Sequence, residues 1–271
     1  MKVFGIDFTS RPSRRKPITC LECRFDGGRL KAGELTEWRD FTGFETALRR
    51  PGPWIAGIDF PFGQSRTFIE NIGWPDTWAD YVDHAAELGR KGFRAALDGY
   101  RATRAPGDKE HRRATDRATG AISPQKLYGT PVGLMFFEGA PRLRKTGVRI
   151  PGLQDGDPER LVVEAYPGAL ARRLIGKESY KQDARSKQTA QRDAARKRLL
   201  ELILDGEQTQ SIYGLKVEAD PSLAGDPSGD RLDALLCAVQ AAWAWTQREQ
   251  GFGMPAAIDS LEGAIADPID R

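Results

Sequence analysis

Gly229-Asp230-Arg231-Leu232-Asp233-Ala234-Leu235-Leu236-Cys237-Ala238-Val239 opens a helix near the C-terminus, and the rest of the chain is organised around it. From Ala234 to Trp245 the only polar residue is Gln240. A helix without a polar face belongs in a core. Its first turn nevertheless carries Asp230 and Asp233, three residues apart and therefore neighbours on the helix surface. Asp230, following Gly229, suits an N-cap, and Asp233 suits the return partner of a capping box. The helix dipole would favour each by about 0.3–1 kcal/mol. Capping explains each carboxylate singly; a functional role requires other carboxylates to converge on the same turn.

Two apolar strands supply candidates. Residues 2–8 and 54–62 end in one pattern, Gly5-Ile6-Asp7-Phe8 and Gly57-Ile58-Asp59-Phe60. Continuous apolar runs of this length suit strands covered on both faces. An aspartate closing such a strand needs a backbone N–H, an arginine or a cation, because burying it unpaired is costly. If the strands are adjacent, Asp7 and Asp59 project at one sheet edge, and Asp230 and Asp233 bring the carboxylates there to four. That many like charges require cations between them. Hard oxygen ligands without a histidine or thiolate cluster select Mg²⁺ or Mn²⁺. Two such ions about 4 Å apart serve in-line displacement at a phosphate. A third apolar strand, 161–166, carries Glu164 at its end, a position suited to an accessory ligand or a general base.

The remaining segments complete an α/β pattern. A basic loop from Arg11 to Lys16 leads to strands at 17–25 and 29–41 joined by the turn Asp26-Gly27-Gly28. A short helix at 42–50 is stopped by Pro51-Gly52-Pro53. Residues 76–135 are patterned as a helical insertion ending in the loop Ser123–Pro131, and 180–204 as a long basic helix. The tail, 258–266, reads as a small terminal hairpin or an edge strand. The expected architecture is one domain over 1–271: a mixed five-stranded sheet with helices on both faces and an insertion at about 76–135. Ligands of such sheets gather at the carboxyl ends of the strands.

Of the 271 residues, 29% are charged and 39% hydrophobic, ordinary values for a globular chain. The net charge of +3 is small, so basic character that matters must be local. It is: Arg90–Lys126 holds ten Lys/Arg against four Asp/Glu, and Arg172–Arg198 ten against three. Positive flanks beside an acidic centre are what a phosphodiester substrate requires. Arg113, Arg117, Lys126, Lys181, Arg185 and Lys187 are the expected substrate contacts. Residues 112–117 suit a lid helix, with Asp116 as a salt-bridge partner inside it. No run of about 18 apolar residues marks a membrane span. The start, Met1 to Asp7, has no signal-peptide h-region, so a cytoplasmic location is expected. Cys20 and Cys23, three apart in a strand, should face opposite sides and bind no metal together. His84 and His111 read as surface residues, Trp243 and Trp245 as core.

Gly5-Ile6-Asp7, Asp59 after an apolar strand, and Asp230-x-x-Asp233-Ala234 resemble the retroviral-integrase and ribonuclease-H superfamily. The spacing of the last pair is similar to that of RuvC-type junction resolvases. With Ile58-Asp59-Phe60-Pro61 and Glu164-Ala165-Tyr166-Pro167 added, the set looks more closely like domain-of-unknown-function family 429, described as predicted ribonuclease-H-like nucleases. The resemblance implies a ribonuclease-H-like fold with Asp7, Asp59, Asp230 and Asp233 as metal ligands. A metal-dependent nuclease is therefore the leading expectation. Two others stand beside it. Asp7-Phe8-Thr9-Ser10 resembles the phosphate-binding turn of actin-like ATPases and sugar kinases, although the second Gly-Ile-Asp-Phe comes only 52 residues later, which suits one sheet rather than a repeated domain. A non-catalytic nucleic-acid-binding protein would use the carboxylates as caps and surface charges.

Overall fold

The computed structural model describes residues 1–268 and, of Arg185, the backbone alone. The chain runs β1 (Lys2–Asp7), β2 (Ile18–Asp26), β3 (Arg29–Trp38), α1 (Phe41–Leu48), β4 (Trp54–Ile58), α2 (Arg66–Ile72), α3 (Trp78–Glu87) and α4 (Gly89–Ala102). It continues with α5 (Ala114–Thr119), α6 (Val132–Thr146), β5 (Val148–Arg149), β6 (Asp157–Glu164), α7 (Pro167–Ile175), α8 (Ala190–Asp205), α9 (Glu207–Tyr213), β7 (Lys216–Glu218) and α10 (Asp230–Thr246). Among the described residues no helix is long and apolar enough to cross a membrane.

One sheet of seven strands results, in the order β5-β6-β4-β1-β2-β3-β7. β2 is antiparallel to both its neighbours, and every other pairing is parallel. The expected five strands form its centre. The two additional strands lie at the edges and are two and three residues long, too short to show a hydrophobic period. The tail forms no hairpin: Ile265 makes a single parallel bridge to Glu164, just beyond the point where β5 stops.

Helices cover both faces. One buried cluster joins Val3, Ile55 and Val163 to α7, α8 and α10; the other joins Phe4, Ile6 and Ile58 to α1 and α6. Tyr81, Phe93 and Leu97, from the 76–135 insertion, belong to this second cluster. The insertion therefore completes the core on that face. Cys20 and Cys23 fall in opposite clusters, as their spacing requires. Burial pushes the Cys20 thiol up to about 12 and that of Cys23 higher still, so neither supplies a thiolate at neutral pH.

The long helix expected over 180–204 begins only at Ala190, where the Thr189 hydroxyl accepts the N–H of Arg192 at 3.3 Å. Ahead of it the chain is irregular apart from a 3-10 turn at Arg185–Lys187. Tyr180 and Lys181, in that irregular stretch, are pinned to Asp233.

Two glycines set the position of α10. A Cβ on Gly5 would lie 1.8 Å from the Ala234 carbonyl oxygen, and one on Gly57 would lie 2.3 Å from that of Cys237. Strand backbone and helix backbone thus touch directly, with alanines at 234, 238 and 241 along the seam. Gly5→Ala should destabilise the protein by at least the about 1–3 kcal/mol typical of overpacking, because the obstruction is helix backbone. Gly99→Ala, at an exposed site in α4 with nothing near the added carbon, should stabilise by about 0.5–1 kcal/mol. Urea unfolding of the two variants measures both signs.

Candidate metal centre

The parallel register pairs Gly5 with Gly57 and Ile6 with Ile58, so Asp7 and Asp59 emerge side by side. The Asp59 N–H donates to the Ile6 carbonyl at 3.0 Å and ties the second strand end to the first. Since side chains alternate along a strand, Asp7 and Asp59 lie on the side of Gly5 and Gly57, under the first turn of α10. Asp7, Asp59 and Asp233 each present a carboxylate oxygen, and the three oxygens lie within 4.8 Å of one another. That spacing lets one hard cation, with ligand distances of about 2.0–2.6 Å, accept all three.

Asp230 borders the same cavity but has a different partner. Lys16 donates to Asp230 Oδ1 at 2.6 Å and to Asp183 Oδ1 at 2.8 Å. Lys181 donates to Asp233 Oδ2, and the Tyr180 hydroxyl donates to Asp233 Oδ1 at 2.6 Å. Neither aspartate caps the helix. Asp226 does that, its Oδ2 accepting the N–H groups of Asp230 at 3.1 Å and Arg231 at 3.5 Å. Both side chains of the first turn are thereby freed from capping, and Asp230 lines a cavity of about 440 Å³ that Thr9, Ser10 and Ser228 also border.

The electrostatics are unbalanced. Burial, then repulsion from Asp230 and Asp233, holds Asp7 well above the ordinary carboxylate range. Burial pushes Asp59 up to about 7, with Lys181 pulling down and Asp233 and Glu164 pushing up. Asp230 is raised by burial against the opposing pull of Lys16. Burial disfavours the two ammonium groups, yet both are raised, Lys16 by Asp7 and Asp230 and Lys181 chiefly by Asp233. Asp7, Asp59, Asp230 and Asp233 thus face two lysines, one of which also serves Asp183, so full ionisation leaves at least two negative charges uncompensated.

Among the described side chains, the other expected site residues except Lys181 lie outside the carboxylate cavity. Glu164 is 3% exposed, and both its oxygens bind Arg113, at 2.5 and 2.8 Å, with the Phe62 N–H a third donor at 2.8 Å. It is a buried ion-pair partner and lies outside the group formed by Asp7, Asp59 and Asp233. Arg113, expected to contact substrate, is 1% exposed and also bridges to Asp116 at 2.7 Å. Its burial follows from these two carboxylates, without which a guanidinium could not leave water. Arg117 and Lys187 are exposed, and Lys126 is half-buried with its ammonium 5.0 Å from the Tyr128 ring centroid. Lys181 reaches into the cavity, while the side chain of Arg185 lies outside the described residues. His84 and His111 are half-buried rather than superficial, against Trp74 and Tyr100.

Lys16, Tyr180 and Asp226 went unselected in the sequence. The signal for Lys16 was its place in the basic loop leaving the Asp7 strand. Tyr180 and Asp226 carried none beyond adjacency to Lys181 and to the helix-opening glycine.

Fold and site together define an α/β protein whose parallel strand ends and one buried helix present a carboxylate group suited to a hard cation. The chain belongs to the family described as Protein of unknown function (DUF429), whose model matches residues 5–257. Comparison with curated proteins and with solved structures gave no match.

Two outcomes are expected. Because Asp59 titrates near 7 in the folded metal-free protein and near 4 unfolded, the native state binds more protons in that window, and stability falls as pH rises through it. Denaturation midpoints measured in EDTA should therefore drop between pH 5 and 8, and Asp59→Asn should flatten the slope. Mg²⁺ or Mn²⁺ should restore stability, more at pH 8 than at pH 5. Separately, Arg113→Met leaves two buried carboxylates unpaired and should cost about 3–5 kcal/mol in urea unfolding.

Proposed function

We propose that the protein is a metal-dependent phosphodiesterase acting on nucleic acid, built on a ribonuclease-H-like sheet. The observation that carries this reading is the convergence of Asp7, Asp59 and Asp233 within 4.8 Å at the ends of parallel strands. The central run β3-β2-β1-β4-β6, in which β2 alone is antiparallel, supports the ribonuclease-H-like part. All the donors are hard oxygens, and the excess of negative charge over the two lysines favours a divalent cation.

Asp7, Asp59 and Asp233 would hold the ion, Mg²⁺ or Mn²⁺. When bound it supplies Lewis-acid polarisation of a phosphoryl oxygen and a water of lowered pKa. The chain's own groups do the rest. Tyr180 fixes the rotamer of Asp233 through its 2.6 Å hydrogen bond. Lys16 and Lys181 offset the carboxylate charge that would otherwise repel a phosphodiester, and both ammonium groups border the space that a phosphate would enter. A second ion, in the two-ion form of the mechanism, would take as a further ligand Asp230, whose Oδ1 accepts from Lys16. Exposed Arg117, Lys187 and Arg198 and half-buried Arg192 supply positive flanks for a polyanion.

The phosphotransferase reading draws on the placement of Thr9 and Ser10 in the cavity wall. Against it, the two Gly-Ile-Asp-Phe segments are neighbouring strand ends of one sheet, where that architecture repeats the domain. ATP binding in calorimetry separates the two readings.

Asp7→Asn should abolish Mg²⁺- or Mn²⁺-dependent cleavage of single- and double-stranded DNA and RNA while leaving circular dichroism unchanged. The same substitution removes a repelling charge and should raise the denaturation midpoint in EDTA. Full cleavage by the variant would overturn the assignment.

A further inference from the structure

A second cavity, of about 260 Å³, adjoins the carboxylate cavity and shares Asp59, Thr130, Met135 and Lys181 with it. The two differ in chemistry. Acids, lysines and hydroxyls predominate in the first, whereas Phe60, Ile122, Val132, Tyr166 and Ile265 belong to the second alone.

The charged floor of the second cavity, Arg113 with Glu164 and Asp116, is closed to a ligand. A guanidinium has five N–H donors. All of them are used here: two on Asp116, two on Glu164 and one on the Glu262 carbonyl, in five separate hydrogen bonds of 2.5–3.0 Å. A phosphate or sugar therefore finds no free guanidinium donor there. A flat group with apolar faces needs no donor from the guanidinium, and its faces gain from leaving water.

Tyr166 gives such a group a surface to lie on. Its ring packs on Gly168 in the first turn of α7, where a Cβ would come within 2.6 Å of the ring Cζ. The ring is half-buried, and its backbone is held by Gln240, which accepts from the Tyr166 N–H at 2.9 Å and donates to its carbonyl at 3.2 Å. It is thus a fixed wall rather than a mobile side chain.

We propose that the second cavity is a nucleobase subsite, taking the base of the nucleotide whose phosphate lies at the carboxylates. The proposal rests on the phosphodiester reading of the first cavity. Through the shared wall at Asp59 and Lys181, a phosphate in one space and its own base in the other belong to one nucleotide. Recognition is by shape and stacking, so the site detects the presence of a base more than its identity. A base inside this cavity cannot be paired in a duplex, so the substrate strand is single or locally opened at that nucleotide.

Calorimetric titration with AMP, UMP and ribose 5-phosphate, in Mg²⁺, tests this. Stacking of a base is expected to make both nucleotides bind about tenfold tighter than ribose 5-phosphate, and within a few-fold of each other. Tyr166→Ala, which removes the wall, and Val132→Trp, which fills the cavity from the half-buried start of α6, should each bring that ratio close to one while unfolding remains cooperative. Val132→Trp decides the matter if Tyr166→Ala disturbs the fold. Tighter binding of a single-stranded trinucleotide than of AMP assigns the base to a strand, and equal binding assigns it to a free nucleotide. Equal affinity for AMP and ribose 5-phosphate, no binding of either at millimolar concentration, or a ratio that survives both variants overturns the subsite. Failure of the phosphodiesterase reading is seen separately, as absent metal-dependent cleavage with the nucleotide preference intact.

Discussion

The backbone of α10 lies directly against the two central parallel strands, β1 and β4, and the site depends on that contact. Ordinary helix-on-sheet packing leaves a layer of side chains between the two backbones. Here Gly5 and Gly57 remove that layer, and the Ala234 and Cys237 carbonyls take the place of side chains. The hydrophobic burial that holds the helix down therefore also sets the height of Asp233 above Asp7 and Asp59. A single Cβ in the seam would lift the helix, and with it one carboxylate of the three that a cation would share. Stability and site geometry are fixed by the same contact.

The site works against the stability that this contact provides. Buried carboxylates repel one another and lose hydration, and two lysines only half neutralise them. Such a cluster is retained where the missing charge arrives with a ligand, since binding to the folded state alone adds to its stability. The helix cap shows the same division of labour. Asp226 satisfies the first N–H groups of α10, so Asp230 and Asp233 are not spent on the helix that carries them.

Much of this arrangement was legible in the sequence because it is written in short-range patterns. The repeated Gly-Ile-Asp-Phe gave adjacent strand ends, and an apolar run broken only by Gln240 gave a buried helix. What escaped was decided by partners distant in the chain. Lys16 meets Asp230 across 214 residues, and Arg113 meets Glu164 across 51. In sequence Arg113 is indistinguishable from the exposed Arg112 and Arg117 beside it. Only the two carboxylates that receive it make its burial possible. Tyr180 and Lys181 look helical by composition, but their bonds to Asp233 hold the segment irregular until Thr189 provides a cap. The glycines were quoted as part of a motif, while their physical reason, backbone contact with a helix some 230 residues away in one case, appears only in three dimensions.

The buried Arg113 pair gives the insertion a purpose beyond filling the core. Replacing a buried ion pair with apolar side chains is often neutral or stabilising, so stability alone is a weak reason for its presence. Its geometry is a better one. Arg113 joins the start of α5 to the end of β6 through Glu164 and to the C-terminal segment through the Glu262 carbonyl, and the Glu262 carboxylate in turn accepts the Ala114 N–H at 3.0 Å. From α5 the chain passes through 120–131, which contributes Ala121 and Ile122 to the apolar cavity and Gly129, Thr130 and Pro131 to the carboxylate cavity. The ion pair thus anchors the common wall of the two spaces to the strand that lies beside Asp59. A hydrophobic substitute could fill the same volume, but it could not hold α5 at one angle to the sheet through five directed hydrogen bonds. The insertion is the side of the site that the sheet and α10 cannot supply.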